Sequence, residues 1–471
     1  MDPHARYRVR LEVPEDAPPL RVLRLRGREH LSEPFVFDVR VETEDQVPLV
    51  FGDFDALMGG KATLSFGPEA EHPIHGVIRE VRLVPVAETR SPRYDLRIVP
   101  RFLDTRGTRG SWVYLDRTPG QLISDAFARC GDGALQEGDD FELCLQGAYN
   151  PREYVVQYEE SVFDFVSRQA EHWGYFYFFD HLGEADKIVF GDTNAEFLAL
   201  EGFDEIPFEP RRGVSPGEAV REVGVTQRMV EREISLREHN YRIPSVPLVT
   251  QPQGVDPQGI GSVHAHGEHY WTPDEGTMLA RIRGEELLAR KLRMQAQTTV
   301  RGLRAGHRFR LSGAEPEAHG LAIDYIVVSV DHYATGGVED AELPYYNHVE
   351  LQPADVAFRP ARVTPKPRIH GVVHAKIDAE AEDGVNVPVD EWGRYKVVLP
   401  FDVAGEPGGR SSCWIRLANP SGGGGWGFAQ GLHQGTEVVI YHLDGDPDRP
   451  VIAGAVSNFE QPSTVRRENA Q

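Results

Sequence analysis

The chain has 471 residues, with 50 Lys plus Arg against 73 Asp plus Glu, a net charge of −23. That length is too great for one core and suggests about three domains. The acidity argues against a nucleic-acid binder with a general basic face and against docking on an anionic membrane.

A hydrophobic content of 40% excludes a largely disordered chain. No apolar run approaches the ~20 residues of a membrane helix, and Met1-Asp2-Pro3-His4-Ala5-Arg6 lacks the basic-then-apolar order of a signal peptide. Cys130, Cys144 and Cys413 are too few and too scattered for a disulfide framework or a zinc site. The expectation is a protein folded in a reducing cytoplasm, with no membrane anchor.

From residue 7 to residue 100 apolar and polar positions alternate. Val22, Leu23 and Leu25 are interleaved with arginines, and Phe35, Phe37, Val39 and Val41 recur at period two. Such alternation lays one face of a strand on a core and the other in water. Further strands are expected at Ala62–Phe66, Ile74–Leu83 and Tyr94–Pro100, together forming a barrel or curled sheet.

Near Thr118 the pattern changes. Thr118-Pro119-Gly120-Gln121 is a capping box with proline at the first helical position. Leu122, Ile123, Ala126 and Phe127 supply an apolar stripe, and Gly131 ends the helix. A second helix is predicted from Ser161 to Gly174, capped by Ser161, with Val162, Phe165, Val166 and Trp173 on one face. The strand Tyr175–Phe179 follows; its neighbours Asp180, Glu184 and Asp186 have the wrong sign for base stacking, so its rings are assigned to a core. A third helix opens at Thr272-Pro273-Asp274-Glu275, with Met278, Ile282, Ala289 and Leu292 as its apolar face and Gly284 weakening its middle. Strands resume around Phe309, at Leu321–Val330 and at Tyr346–Gln352. Pro360 to Pro367 reads as a stiff linker. From Glu391 to Asn458, short strands punctuated by Gly, Pro and Asp describe a small closed barrel. The tail Glu460–Gln471 has no pattern.

Four chemical motifs need weighing. Gly213-Val214-Ser215-Pro216-Gly217 matches the nucleophile elbow, but the oxyanion donor must be the backbone N–H after the serine, and Pro216 has none. Gly422, Gly424 and Gly427 fit the dinucleotide fingerprint, yet Gly431 and Gly435 break the helix it requires, which leaves a flexible inter-strand loop. His264 and His266 would share a strand face and, with His269, could begin a metal site; only Glu268 could complete it, so a hydrated turn is the expectation. Asp444, Asp446 and Asp448 resemble the start of a calcium loop, but Arg449 and Ala455 stand where such a loop needs Gly and Glu. A tight turn with Arg449 pairing to the aspartates is expected.

Four ordered stretches carry a resemblance spanning essentially the whole chain. They are Leu25-Arg26-Gly27-Arg28-Glu29-His30-Leu31-Ser32-Glu33-Pro34-Phe35-Val36-Phe37, Pro151 through Phe178, Gly302-Leu303-Arg304-Ala305-Gly306-His307-Arg308-Phe309, and the segment with Asp390, Gly393-Arg394, Cys413-Trp414-Ile415-Arg416 and Gly445-Asp446-Pro447-Asp448-Arg449-Pro450. In these the chain resembles VgrG, the spike or tip protein of bacterial type VI secretion, a family similar to the hub and spike-base proteins of contractile phage tails.

The resemblance implies a mainly β fold with inserted helices: phage-hub-like β-barrel domains followed by a small OB-fold barrel. Residues 1–359 would hold two related barrels with helical insertions near 118–131, 161–174 and 272–294. Residues 360–368 would be the linker, 369–459 the OB-fold spike base, and 460–471 a tail toward a β-prism needle that this chain is expected to lack. It further implies a homotrimer matching a hexameric, Hcp-like tube, baseplate contacts, and a PAAR-type tip and effectors reached through the needle. The chain would be made in the cytoplasm and exported by contraction. The role is mechanical, so no catalytic, metal-binding or cofactor-binding residues and no cofactor are implied. The alternatives are a phage or extracellular contractile hub, an envelope-degrading hydrolase and a glycan-binding module.

Overall fold

The computed structural model describes residues 9–470 apart from 45–46, 68–70, 85–91, 201, 203–204, 211–216, 336–344 and 380–386. Strands take 43% of the residues and helices 16%, which makes the fold mainly β with inserted helices. Two compact units emerge, each discontinuous in sequence. The first comprises Met1–Asp104, Leu135–Gly147 and Ala170–Arg362; the second comprises Thr105–Ala134, Ala148–Gln169 and Val363–Gln471. The expected single boundary near residue 360 would keep 105–134 and 148–169 with the N-terminal region. In space these segments join the C-terminal one, because Tyr154 and Val156 complete a core with Ala375, Val397, Ile440 and Ile452.

In the first unit thirteen strands form one sheet. Its main path runs Val9–Glu12, Lys61–Phe66, Glu71–Val84, Arg93–Val99, Glu33–Thr43, Leu20–His30, Asp324–Thr335, Tyr345–Pro353, Leu292–Thr298, Val220–Gln227. The period-two residues Phe35, Phe37, Val39 and Val41 all lie in the core. The strand Leu20–His30 pairs antiparallel with Glu33–Thr43 on one side and with Asp324–Thr335 on the other. Strands from the two ends of this unit's sequence therefore share a continuous hydrogen-bonded surface, with the arginines of Leu20–His30 on its outer face. Tyr175 to Phe179 are buried, and Phe176 stacks on Phe197 at 4.3 Å.

Two expected helix starts are realised locally. Thr118 Oγ1 accepts the Gln121 N–H at 3.3 Å and Gln121 Oε1 accepts the Thr118 N–H at 3.0 Å, opening Pro119–Ala128. Ser161 Oγ accepts the Asp164 N–H at 3.0 Å before Val162–Trp173. At Pro273–Leu288 the box is displaced: Thr272 caps Glu275, but the Glu275 carboxylate reaches the N–H of Trp271 instead of Thr272.

The predicted helix faces need correction. Val162–Trp173 buries Ser167, Arg168, Gln169 and Glu171 as well as its apolar stripe. On Pro273–Leu288, Leu279, Ile282 and Arg283 are buried while Met278 is only half-buried, and Leu292 already belongs to the next strand. Arg168 and Arg283 enter these faces because Glu160 and Glu268 pair with them, which offsets the cost that periodicity arguments assume, whereas the Ser167 hydroxyl is buried without a hydrogen-bond partner. Gly284 has a packing reason: a Cβ there would press to 3.3 Å from Gln253 Cγ. The helices Phe51–Leu57 and Ala314–Ala318 are too short to leave a periodic signal.

In the second unit the strands Lys396–Val398, Val372–Asp378, Glu437–His442 and Pro450–Ala455 form one sheet, and Arg109–Arg117 pairs with Arg152–Ser161. Trp392, Trp426 and Phe428 are exposed, whereas Tyr395, Val397 and Ile415 are core.

Candidate functional site

The positions singled out in the sequence have different fates. Gly213 to Pro216 lie outside the described residues. The glycine run becomes a β-hairpin, Ser421–Gly423 with Trp426–Phe428, rather than the flexible loop expected; no helix follows it to meet a phosphate. Gly425 at φ 86° and Gly427 at φ 143° explain why glycine is needed there.

His264 and His266 share the exposed face of Ser262–His266. His264 Nδ1 lies 2.6 Å from Ser235 Oγ, and its Nε2 lies 3.3 Å from Ser262 Oγ. Beyond a turn at Gly267, the His269 N–H donates to Glu238 Oε2 at 2.7 Å. Among the described residues these three histidines do not bring ligand atoms within reach of one ion. Glu268, the proposed fourth ligand, is occupied by arginine: Arg283 donates to Oε2 at 3.0 Å and Arg362 to Oε1 at 2.6 Å. Burial works against its charge, but Arg283, then His172 and Arg362, hold the carboxyl down to about 2.

The aspartate run forms a turn closed by Asp446 N–H to Leu443 O at 3.0 Å and Arg449 N–H to Asp446 O at 2.9 Å. Arg449 Nε stands 3.5 Å from Asp446, and Lys366 Nζ sits 2.6 Å from both Asp446 and Asp448. The expected arginine pairing is present, and the lysine is an addition the sequence did not reveal.

The first unit also contains a buried polar chain. Thr298 donates to Asn347 Oδ1 at 2.6 Å, Asn347 Nδ2 to Tyr345 Oη at 3.0 Å, and Tyr345 Oη to His332 Nδ1 at 2.7 Å. His332 Nε2 then donates to Glu29 Oε1 at 2.8 Å, with Arg304 Nε 3.7 Å from the same oxygen. This direction of donation fixes a neutral imidazole with its proton on Nε2. Burial pushes the His332 pKa down; for Glu29 burial acts upward but is outweighed by the His332 hydrogen bond and Arg304. The order of groups is that of a catalytic relay, but His332 is 0% exposed. A sealed, fully satisfied network braces four neighbouring strands instead of admitting a substrate. Glu29 and His332 are 303 positions apart, so no spacing rule could have joined them.

A second cluster lies in the second unit. Arg168 grips Glu160 through Nη2–Oε1 at 2.6 Å and Nε–Oε2 at 2.9 Å, and donates to Val156 O at 2.9 Å. The Val156 N–H donates to Asp448 Oδ1 at 2.7 Å, and the Val403 N–H donates to Ser111 O at 3.0 Å. The helix, the two-stranded ladder and the C-terminal sheet are thus joined by charged and backbone bonds around one apolar core.

The profile of the family "Phage tail baseplate hub (GPD)" matches residues 28–338. The type VI secretion system spike protein VgrG1b of Pseudomonas aeruginosa is 28% identical over 476 residues, covering 96% of this chain and 60% of its own length. VgrG1a of the same organism is 27% identical, with 96% and 70% covered. The chain therefore spans about 60% of the first of these relatives. Among solved structures, the E. coli c3393 protein, described as a component of the type VI secretion system, matches with TM-score 0.70 at 22% identity, over 95% of this chain and 100% of that one. A chain of the Francisella PdpA–VgrG complex matches with TM-score 0.61 at 8% identity, covering 97% and 72%. The chain is homologous to the VgrG spike proteins, and it belongs to the phage tail baseplate hub family.

Proposed function

We propose that this chain is a structural subunit of the puncturing spike of a type VI secretion system. The observation that carries the reading is the match of spike proteins along 96% of the chain, through both units. In this reading three copies form a hub that meets a hexameric tube protein. The C-terminal sheet of the second unit, read as an OB-fold spike base, adapts that hub to a threefold needle with a PAAR-type tip. The chain carries no chemistry of its own, waits in the cytoplasm, and is exported when the sheath contracts. No helix among the described residues is long and apolar enough to cross a membrane. The family profile, named for a phage tail hub, favours the phage or extracellular contractile hub as the second reading.

Light scattering and electron microscopy of the whole gene product test the reading. A trimer of the 471-residue chain is expected near three times 52.7 kDa, about 158 kDa, with threefold particles. Monomers that show no threefold particles, and that fail to capture purified tube protein, would overturn it.

A further inference from the structure

The outer face of the large sheet in the first unit carries an arginine lattice although the chain is acidic overall. The alternation of Leu20–His30 points Arg24 and Arg26 outward while Leu25 and Gly27 face in. Register then sets Arg24 beside Arg40, Arg40 beside Asp95, and Asp95 beside Arg82. In the next row Arg26 stands beside Asp38, and Asp38 beside Arg97. Together these side chains line a shallow groove of about 280 Å³.

The arginines of the groove divide into two groups. Arg40 is held by Asp95 through two contacts at 2.7 and 2.9 Å, and Arg97 bonds Asp38 at 2.9 Å. Arg24, Arg26 and Arg82 are exposed and have no carboxylate partner among the described residues. Arg26 lies 5.9 Å over the ring of Tyr333, which stacks on Tyr346 at 5.1 Å. Arginines without a carboxylate beside the half-buried Tyr333 and the exposed Tyr346 have the composition of an interface centre rather than of a merely solvated face. Their positions are rigid, because four hydrogen-bonded strands present them.

We propose that this face docks a carboxylate-rich protein segment. Arg24 and Arg26, two residues apart on one strand, lie roughly 7 Å apart, and Arg82, three strands away, roughly 14 Å from Arg24. An extended segment lying along Leu20–His30, with acidic residues at alternate positions, repeats at the same ~7 Å and offers Arg24 and Arg26 a planar, bidentate acceptor each, while Arg82, off that line, adds its positive field across the sheet. A nucleic-acid backbone fits less well, since its continuous phosphates would cross Asp38, Glu80 and Asp95 in the same groove. The proposal does not depend on which contractile assembly the chain serves.

The test uses the full chain and a fluorescein-labelled peptide of alternating Glu and Ser, roughly a dozen residues long, below about 0.1 M salt where the Debye length is ~10 Å. The anisotropy should rise on binding and fall back as salt is added. Arg24→Gln/Arg26→Gln/Arg82→Gln should weaken binding at least about tenfold, while Arg308→Gln, on an exposed position elsewhere, should not. The reversal Arg24→Glu/Arg26→Glu/Arg82→Glu should instead acquire affinity for the corresponding Lys-Ser peptide. The proposal is overturned if the Glu-Ser peptide does not bind, if the triple Gln variant binds it equally, or if single-stranded DNA of similar length binds this face more tightly.

Discussion

Replacing Arg168 by Met tests how the second unit is held together. The Arg168 and Glu160 side chains are 7% and 8% exposed, and their contacts include a two-point fork. Arg168→Met leaves the Glu160 carboxylate buried without its cation, a change that costs about 3–5 kcal/mol. It also strips a donor from the Val156 carbonyl, worth roughly 1 kcal/mol. Removing both charges with Arg168→Met/Glu160→Leu should recover most of the loss, because a buried ion pair contributes little net stability over apolar residues of similar volume. Burial already pushes the Glu160 pKa up, with Arg168 offsetting it in part. Without Arg168 the carboxyl is raised further, so the folded state of the single variant favours a proton that the unfolded state releases as pH rises. Its deficit should therefore be larger at pH 8 than at pH 5. Amide hydrogen exchange over residues 152–169, read as a local opening free energy, separates this unit from the rest of the chain. A single-variant loss under about 1 kcal/mol, or a double variant as poor as the sum of its parts, would show that the pair is not the brace described.

Three further outcomes follow from the same reasoning. Burial, reinforced by Arg304, holds His307 down to about 4 against an ordinary 6.5, so the unfolded chain binds the extra proton first. Stability should be fully present above pH 6.5 and fall between 6.5 and about 4, by roughly 3 kcal/mol for this group, and His307→Leu should narrow the gap between urea midpoints at pH 7.5 and pH 5. Gly27→Ala would drive a methyl group into the Phe37 ring on the neighbouring strand, and calorimetry should show the first unit destabilised by about 1–3 kcal/mol. Thr118→Ala removes the acceptor of the Gln121 N–H and should cost about 1 kcal/mol, visible as faster exchange at the start of Pro119–Ala128.

Much of the local structure could be read directly from residue order. Phe35, Phe37, Val39 and Val41 face the core because strand alternation leaves them no other choice, and Thr118, Ser161 and Thr272 start helices through bonds made within four residues. The failures come from pairing between elements and from elements too short to leave a pattern. Arg283 and Arg168 occupy buried helix positions only because Glu268 and Glu160 meet them there. The pattern of Pro273–Leu288 alone therefore pointed to Met278, where the structure buries Leu279. The glycines from Gly422 to Gly427 looked like a loop because a two-stranded hairpin this short has no apolar alternation to betray it. The arginines of Leu20–His30 were visible as interleaved charges, but their assembly with Arg40, Arg82 and Arg97 into one face needed the sheet register. Nor could the outward histidines of Ser262–His266 be separated from a metal site until Glu268 was seen to be held by arginines.

The central claim, a mechanical hub of a contractile system, is tested most directly by following an epitope-tagged copy of the whole gene product in its own bacterium. The account predicts that the tagged protein leaves the cell together with the tube protein, and that both remain inside when the sheath gene is deleted. Export of the tube protein at its normal level from cells lacking this gene, or export of the tagged chain without a sheath, would contradict it.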